Sequence, residues 1–259
     1  MKLTFLGTGT SFGVPQLGCG CAVCRSTDPR DKRTRVGAVV ESAGGTRVLI
    51  DTPPELRLQL INARIDSVDA VLFTHQHADH THGIDDLRAI TIRRSAPLPM
   101  YGPGETLDDL ARKFRYIFDE GIRPLPGTSK PEGKACVIDA DQAFVVGDLE
   151  ITAVRVPHGS VTVFGYRIGP LAYVTDAKSL PASAVDRLAG AQVLVVNALF
   201  RREHPTHMSL DEALATGRAI GAERTYLTHL THDNFHADLE AELPPGVFPA
   251  FDGLTVTVD

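Results

Sequence analysis

The sequence predicts an α/β fold, and three observations carry the prediction. Short β-rich runs alternate with helical patterns along the whole chain. Two segments, "QAFVVGDLEITAVRV" and "VFGYRIGPLAYVTD", read as hairpins turning at Gly147-Asp148 and Gly169-Pro170. Both halves run strands first and helix afterwards, an order that suggests two sheets packed face to face with helices outside. Periodicity alone leaves that last arrangement open.

Taken in order, "KLTFLG", "GAVVES" and "TRVLIDT" read as strands, "PELRLQLINAR" as a helix and "DAVLFTH" as another strand. After "PLPMYGP", the segment "TLDDLARKFRYIFD" reads as one helix with Thr106 at its N-cap and Asp109 in its first turn. Beyond the hairpins, Ser179 and Pro181 open the helix "LPASAVDRLAG", and "QVLVVNAL" is a buried strand by its continuous apolar run. Ser209 and Glu212 form a capping box ahead of "DEALATGRAIGA", whose glycine ends that helix, and "RTYLTHL" is the last strand of the group. No linker, low-complexity tract or repeat interrupts this order, so residues 1–259 are read as a single domain.

Composition narrows the function classes. With 43% apolar residues the chain can bury a large core, and no stretch approaches the length of a membrane span. The opening "MKLTFLGTGTSFG" runs into a strand instead of a signal-peptide core, and four cysteines do not form a disulfide framework. Both point to the cytoplasm. A formal charge of −6 and a pI near 5.9 give no basic field for a long polyanion, so neither nucleic acid nor membrane is an expected partner.

Two clusters carry chemistry. "LGCGCAVC" places Cys19, Cys21 and Cys24 within six positions, with the fourth cysteine, Cys136, far away. Close neighbours rarely satisfy disulfide geometry, whereas three thiolates and one imidazole complete a tetrahedral zinc shell. The second cluster is "THQHADHTHG", directly after the apolar run "AVLF". Its His75, His77, Asp79 and His80 suit divalent transition metals. Adjacent donors cannot all converge on one ion, so His75 and His77 divide naturally to one metal and Asp79 and His80 to a second.

The H-x-H-x-D-H motif after a strand resembles the signature of the metallo-β-lactamase superfamily, an αββα sandwich with a metal cleft at one edge. Within it, the phosphodiesterases of the carbon–phosphorus lyase pathway are similar over nearly the whole chain, from "LGTGTSFGVP" through "LIDT" and "FGY" to "FDGLTV". The resemblance implies that His75, His77 and His158 hold one metal, that Asp79, His80 and His229 hold the other, and that Asp176 bridges them together with a hydroxide. It further implies that Cys19, Cys21, Cys24 and His232, three residues beyond His229, form a closed structural zinc site. The expected cofactors are thus two catalytic divalent ions, Zn2+ or Mn2+, and one structural Zn2+.

The reaction so implied is hydrolysis of a small anionic phosphodiester, of the cyclic ribose phosphate or nucleotide cyclic phosphate type, with Asp79 in the metal machinery and His207, just before the capped helix, as the general acid. His204 fits that place less well. Asp51 is expected to orient a ligand histidine, Cys136 to be a small core residue, and "LGTGTSFG" to turn tightly near the cleft, lacking the lysine of a phosphate loop. Arg201 and Arg202 are read as a solvated pair, with a contact to a terminal phosphate of the substrate as the alternative, and His82 as either support for a ligand or a packed polar residue. A homodimer is a family-level expectation. Three rival readings stand beside this one: a tRNA 3′-processing endonuclease, which would need a basic arm, a lactone or thioester hydrolase, and a non-catalytic accessory protein of cofactor biosynthesis.

Overall fold

The computed structural model describes residues 1–259 as two seven-stranded mixed sheets. In chain order the first sheet supplies β1 (Lys2–Gly7), β2 (Gly37–Glu41), β3 (Arg47–Ile50), β4 (Ala70–Leu72), β5 (Leu98–Gly102) and β6 (Gly133–Val137). The second supplies β7 (Ala143–Val146), β8 (Leu149–His158), β9 (Val161–Ile168), β10 (Leu171–Val174), β11 (Val193–Asn197), β12 (Arg224–Thr228) and β13 (Val247–Pro249). The last strand, β14 (Thr255–Thr257), returns to pair with β1. Each sheet begins with antiparallel pairings and continues parallel, from β3 onward in one and from β10 onward in the other. Both expected hairpins form, β7 with β8 and β9 with β10.

The side-chain period of two explains why the buried runs are apolar throughout. Val193 and Val195 of β11 enter a core between the sheets, with Leu3, Phe5, Ile50, Leu72, Ile151 and Tyr166. Leu194 and Val196 face the other way, onto Ala184 and Leu188 of α7 (Ala182–Leu188) and Ala213 and Ile220 of α8 (Leu210–Ile220). On the opposite outer face, Leu49 and Val71 pack beneath α2 (Leu56–Asn62), which contributes Leu56 and Leu60. These layers make the αββα sandwich.

Several local expectations are corrected. The helix placed over "TLDDLARKFRYIFD" is two helices, Gly104–Lys113 and Arg115–Phe118, broken at Phe114, whose φ of −118° and ψ of 43° leave the helical region. Its N-cap is Pro103, and Thr106 lies inside the first turn, donating its hydroxyl to Gln76. Ser179 makes no cap for α7, which begins after Pro181. Cys136 is no core residue: β6 is an edge strand, and the thiol is partly exposed. The capping box of Ser209 and Glu212 and the left-handed Gly221 that ends α8 are as expected.

Strand ends converge on one edge of the sandwich, where open α/β sheets place their sites. Asp51 follows β3, residues 74–80 follow β4, His158 ends β8, Asp176 follows β10, His207 follows β11 and His229 follows β12. The start of the chain crosses the same edge. Gly9 bridges to both Arg35 and Leu230, and a Cβ there would sit 2.6 Å from the Arg33 carbonyl oxygen, so only glycine permits the approach.

Candidate metal centre

Asp176 organises the cleft by facing two ways. Its Oδ2 lies 3.9 Å from both His75 Nε2 and His158 Nε2, and its Oδ1 lies 3.4 Å from both His80 Nε2 and His229 Nε2. His77 joins the first set and Asp79 the second, with Asp79 Oδ2 3.5 Å from His80 Nε2 and 3.9 Å from His229 Nε2. In a tetrahedral shell with bonds of about 2.1 Å, neighbouring donors lie about 3.4 Å apart. The spacing found is therefore that of donors around cations. Moreover, Nε2 of His75, His80 and His229 are buried without any hydrogen-bond partner, a costly state that a bound cation would relieve.

Neighbouring groups fix the tautomers needed. Asp51, fully buried, stands 2.7 Å from His80 Nδ1 and also accepts from the amide and hydroxyl of Thr74. His158 Nδ1 meets the Thr206 carbonyl at 2.9 Å, and His75 Nδ1 lies 3.0 Å from the Thr74 hydroxyl. With Nδ1 engaged, each ring turns Nε2 toward the centre. The expected orienting role of Asp51 agrees with this placement.

The backbone is strained where it delivers these groups. Asp51, Asp176 and His229 have φ of 61°, 53° and 58°, the left-handed region that side chains other than glycine seldom adopt. Each follows a buried strand, so the sheet imposes the turn.

Electrostatics favour a cation. Burial opposes charge on Asp176 and Asp79, yet His229 and His80 for the first, and His80 and His229 for the second, hold both carboxyls well below the usual range. Burial likewise opposes charge on His80, but Asp176, Asp79 and Asp51 together draw a proton to it. Burial and the neighbouring His80 keep His75 neutral. A partly proton-filled, donor-rich pit of this kind exchanges protons for metal.

The open cleft around these donors has a volume of about 400 Å³. Ser11, Ser160 and Thr206 line it, Val161 is its one apolar wall residue, and His207 closes one side. The His207 ring lies 4.9 Å from that of His229 and 4.6 Å from that of His158. Its Nδ1 is 3.9 Å from Asp176 Oδ2, so His207, Asp176 and His229 also form a grouping able to hold a cation. Burial, then His229, holds the His207 imidazole down at about 3.

The thiol cluster sits beyond His229 on the same segment. Cys19, Cys21 and Cys24 place their Sγ atoms 3.2, 3.6 and 3.4 Å from His232 Nδ1. A zinc shell with bonds of about 2.3 Å to sulfur and 2.0 Å to nitrogen spaces these donors by about 3.5 Å. A hydrogen bond from the Cys24 amide holds the Cys21 thiol down at about 7, whereas burial pushes Cys24 up to about 11.

The remaining candidates from the sequence land elsewhere. Arg201 reaches away from the cleft, donating to Asn234 Oδ1 at 2.7 Å and pairing with Glu242. Arg202 is exposed and lies over the Phe200 ring. His82 is exposed, edge-on to Phe114, and is neither packed nor beside a donor. His204 stands 5.3 Å from the His207 ring and is held through Nδ1 by Thr206. One residue has no counterpart among the sequence candidates: Arg33, which is 1% exposed and donates to the carbonyls of Thr231 and Asn234, either side of His232. In "DKRTR" it reads as one of a solvated charge run, and no local signal separates it.

Comparison with known proteins agrees with the fold. The family described as beta-lactamase superfamily domain matches residues 46–230. An octanoyltransferase of Porphyromonas gingivalis is 41% identical across the whole chain, which spans about half, 52%, of that protein's length. A crystal structure of a diphosphatase from the PhnP family superposes with a TM-score of 0.90 at 36% identity, covering 100% of this chain and 98% of that one. Zinc-bound PqqB from Methylobacterium extorquens shares the fold at 20% identity, with a TM-score of 0.79 and full coverage of both chains.

Proposed function

The chain belongs to the beta-lactamase superfamily, and from that premise we propose that it is a two-metal hydrolase of small phosphodiesters, steadied by a separate zinc site on Cys19, Cys21, Cys24 and His232. The observation that carries this reading is the division of Asp176, one carboxylate oxygen toward each of two donor sets. His75, His77 and His158 would hold one cation, and Asp79, His80 and His229 the other. The donor set of imidazoles and carboxylates suits Zn2+ or Mn2+ in the cleft, and the thiolates suit Zn2+. When bound, the cation pair supplies Lewis acidity, which brings the acidity of water toward neutrality and offsets charge on phosphoryl oxygens.

Two divalent cations outweigh the carboxylates of Asp79 and Asp176, so the cleft selects an anion. The hydroxyls of Ser11, Ser160 and Thr206 offer donors to its oxygens. His207, whose ring stands against those of His158 and His229 at the side of the cleft, is placed to give a proton to the leaving oxygen. The similarity to a PhnP-family diphosphatase over both full chains supports phosphoryl chemistry over the lactone reading, and a net charge of −6 with no basic field weighs against a tRNA substrate. The octanoyltransferase is a protein nearly twice as long, and its name supports no acyl chemistry for this chain.

The test joins metal analysis to a substrate panel of phosphodiesters, diphosphates, phosphomonoesters, lactones and tRNA precursors, run on wild type and His207→Ala. Three metals per chain and diester turnover are expected, with turnover falling about 10²- to 10⁴-fold in the variant while its metal content is kept. Lactone hydrolysis without diester hydrolysis would reject the substrate class. Loss of a cleft metal from His207→Ala would make that residue a ligand instead of an acid.

A further inference from the structure

We propose that Asn197 is a positioning residue: by gripping the backbone of Ala177 it fixes where the Asp176 carboxylate and the His207 imidazole stand relative to each other. The role assigned to His207 is that of the phosphodiesterase reading, on which this rests. Asn197 is an anomaly in its strand. The rest of β11 is valine and leucine, all buried, and the strand then ends in an amide that is itself fully buried. Such a group is costly in an apolar layer unless its donor and acceptor are both engaged. Here both engage one residue: Asn197 Oδ1 accepts from the Ala177 amide at 2.8 Å, and Asn197 Nδ2 donates to the Ala177 carbonyl at 3.1 Å. The two contacts also settle which end of the amide is oxygen, since an N–H must face an acceptor and a carbonyl a donor.

Ala177 is where two arms of the cleft meet. It follows Asp176, whose φ of 53° is the strained turn that aims one carboxylate oxygen at each donor set. Its carbonyl also accepts from the amide of Met208 at 2.9 Å, the residue after His207. Asn197 thus braces one peptide oxygen with the bridging carboxylate on one side and the imidazole on the other. The same strand end steadies the frame around it, with the Ala198 amide on the Thr228 carbonyl, just before His229, and the Leu199 amide on the Met208 carbonyl. A further tie between the two arms, Lys178 to Glu212, is part-exposed and screened by solvent. In the loaded cleft the cations would pin Asp176. The imidazole of His207 belongs to neither proposed donor set and depends on the backbone for its place. Asn197 therefore acts on the reaction through His207 and touches no reacting atom.

Two measurements on the metal-loaded full chain test this. In Asn197→Leu, amide hydrogen exchange at Met208 is expected to quicken about tenfold or more although its own acceptor, the Ala177 carbonyl, is untouched, while Ala198 keeps its protection. For hydrolysis of a ribose cyclic phosphate, whose leaving alkoxide needs a proton, kcat is expected to fall about 10²-fold with KM and cleft metal content unchanged. Added to His207→Ala, the same substitution should lower kcat by no more than about threefold further, because the group it misplaces is already gone. Asn197→Ser, too short to reach both Ala177 groups, carries the same expectations if leucine prevents folding. Unchanged exchange at Met208, equal quickening at Ala198, a rise in KM with kcat retained, or a second full loss in the double variant would each overturn the assignment. If wild type hydrolyses no phosphodiester, the phosphodiesterase reading fails, and the exchange comparison, which needs no substrate, still decides whether Asn197 holds Met208 through Ala177.

Discussion

The two donor clusters share one short segment, since His229 serves the cleft and His232 the thiols, yet they are built on opposite plans. In the cleft, His75, His80, Asp176 and His229 are buried, two carboxylates join the imidazoles, and an open volume of about 400 Å³ is left beside them. At the thiol cluster the donors are three sulfurs and one ring nitrogen, only Cys24 is buried, and no carboxylate joins the group. A closed four-donor shell leaves no position for substrate, whereas an open mixed shell does. Proximity along the chain therefore does not decide what a site does; donor softness and unfilled space do.

The sharpest way to break that contrast is Asp176→Ala. It should lower turnover by more than about 10³-fold and empty the cleft of metal while the thiol site keeps its zinc, as read by metal analysis. Equal loss from both sites would mean that they are one cooperative unit. The converse variant, Cys21→Ala with Cys24→Ala, should lose one zinc per chain and about 4 kcal/mol of stability where free zinc exceeds Kd a thousandfold. Its Tm should then no longer respond to chelators that lower the wild-type value at concentrations too mild to strip the cleft.

A third experiment probes the buttress between the regions. Asp252 accepts from the Thr8 hydroxyl at 2.8 Å and from Thr34, and Thr8 in turn holds Leu230 between His229 and His232. Burial pushes the Asp252 carboxyl up to about 6 from 3.8. A raised folded-state value favours the protonated form, so its contribution to stability is complete below about 3.8 and is lost as pH rises through about 6. Asp252→Asn, which mimics the protonated form, should gain on wild type by about 2 kcal/mol between pH 4 and pH 7 in chemical denaturation. A flat difference would show that the carboxylate is solvated. The smallest expected effect is that of Asp51→Asn, which weakens the partner of His80 and should cost about 10- to 100-fold in affinity at the second cation position alone. Competition with a metal indicator measures it.

The cleft is more legible in the sequence than the ground beneath it. His158, Asp176 and His229 can be read because each follows an apolar run, and the pit at the strand ends is where such runs must stop. Asp51 can be read for the same reason. Arg33 cannot, because its burial depends on carbonyls about two hundred residues away, and a charge run looks the same whether solvated or enclosed. Arg201 resembles a solvated cation for a similar reason: Asn234 and Glu242, which draw it away, come together only in the fold. Residue type alone puts Cys136 in the core, but strand order in the sheet sets β6 at an edge. Phe114 interrupts a helix whose apolar pattern continues across it, and periodicity cannot register a break that preserves its phase.

The left-handed turns at positions 51, 176 and 229 have a consequence for adaptation. Each non-glycine residue in that conformation costs on the order of 1 kcal/mol, which glycine would give back. Selection for heat endurance alone would therefore drift these three positions toward glycine and yield a hardier, inert molecule. On the two-metal reading, a carboxylate at 51 and 176 and an imidazole at 229 are what stand against that drift.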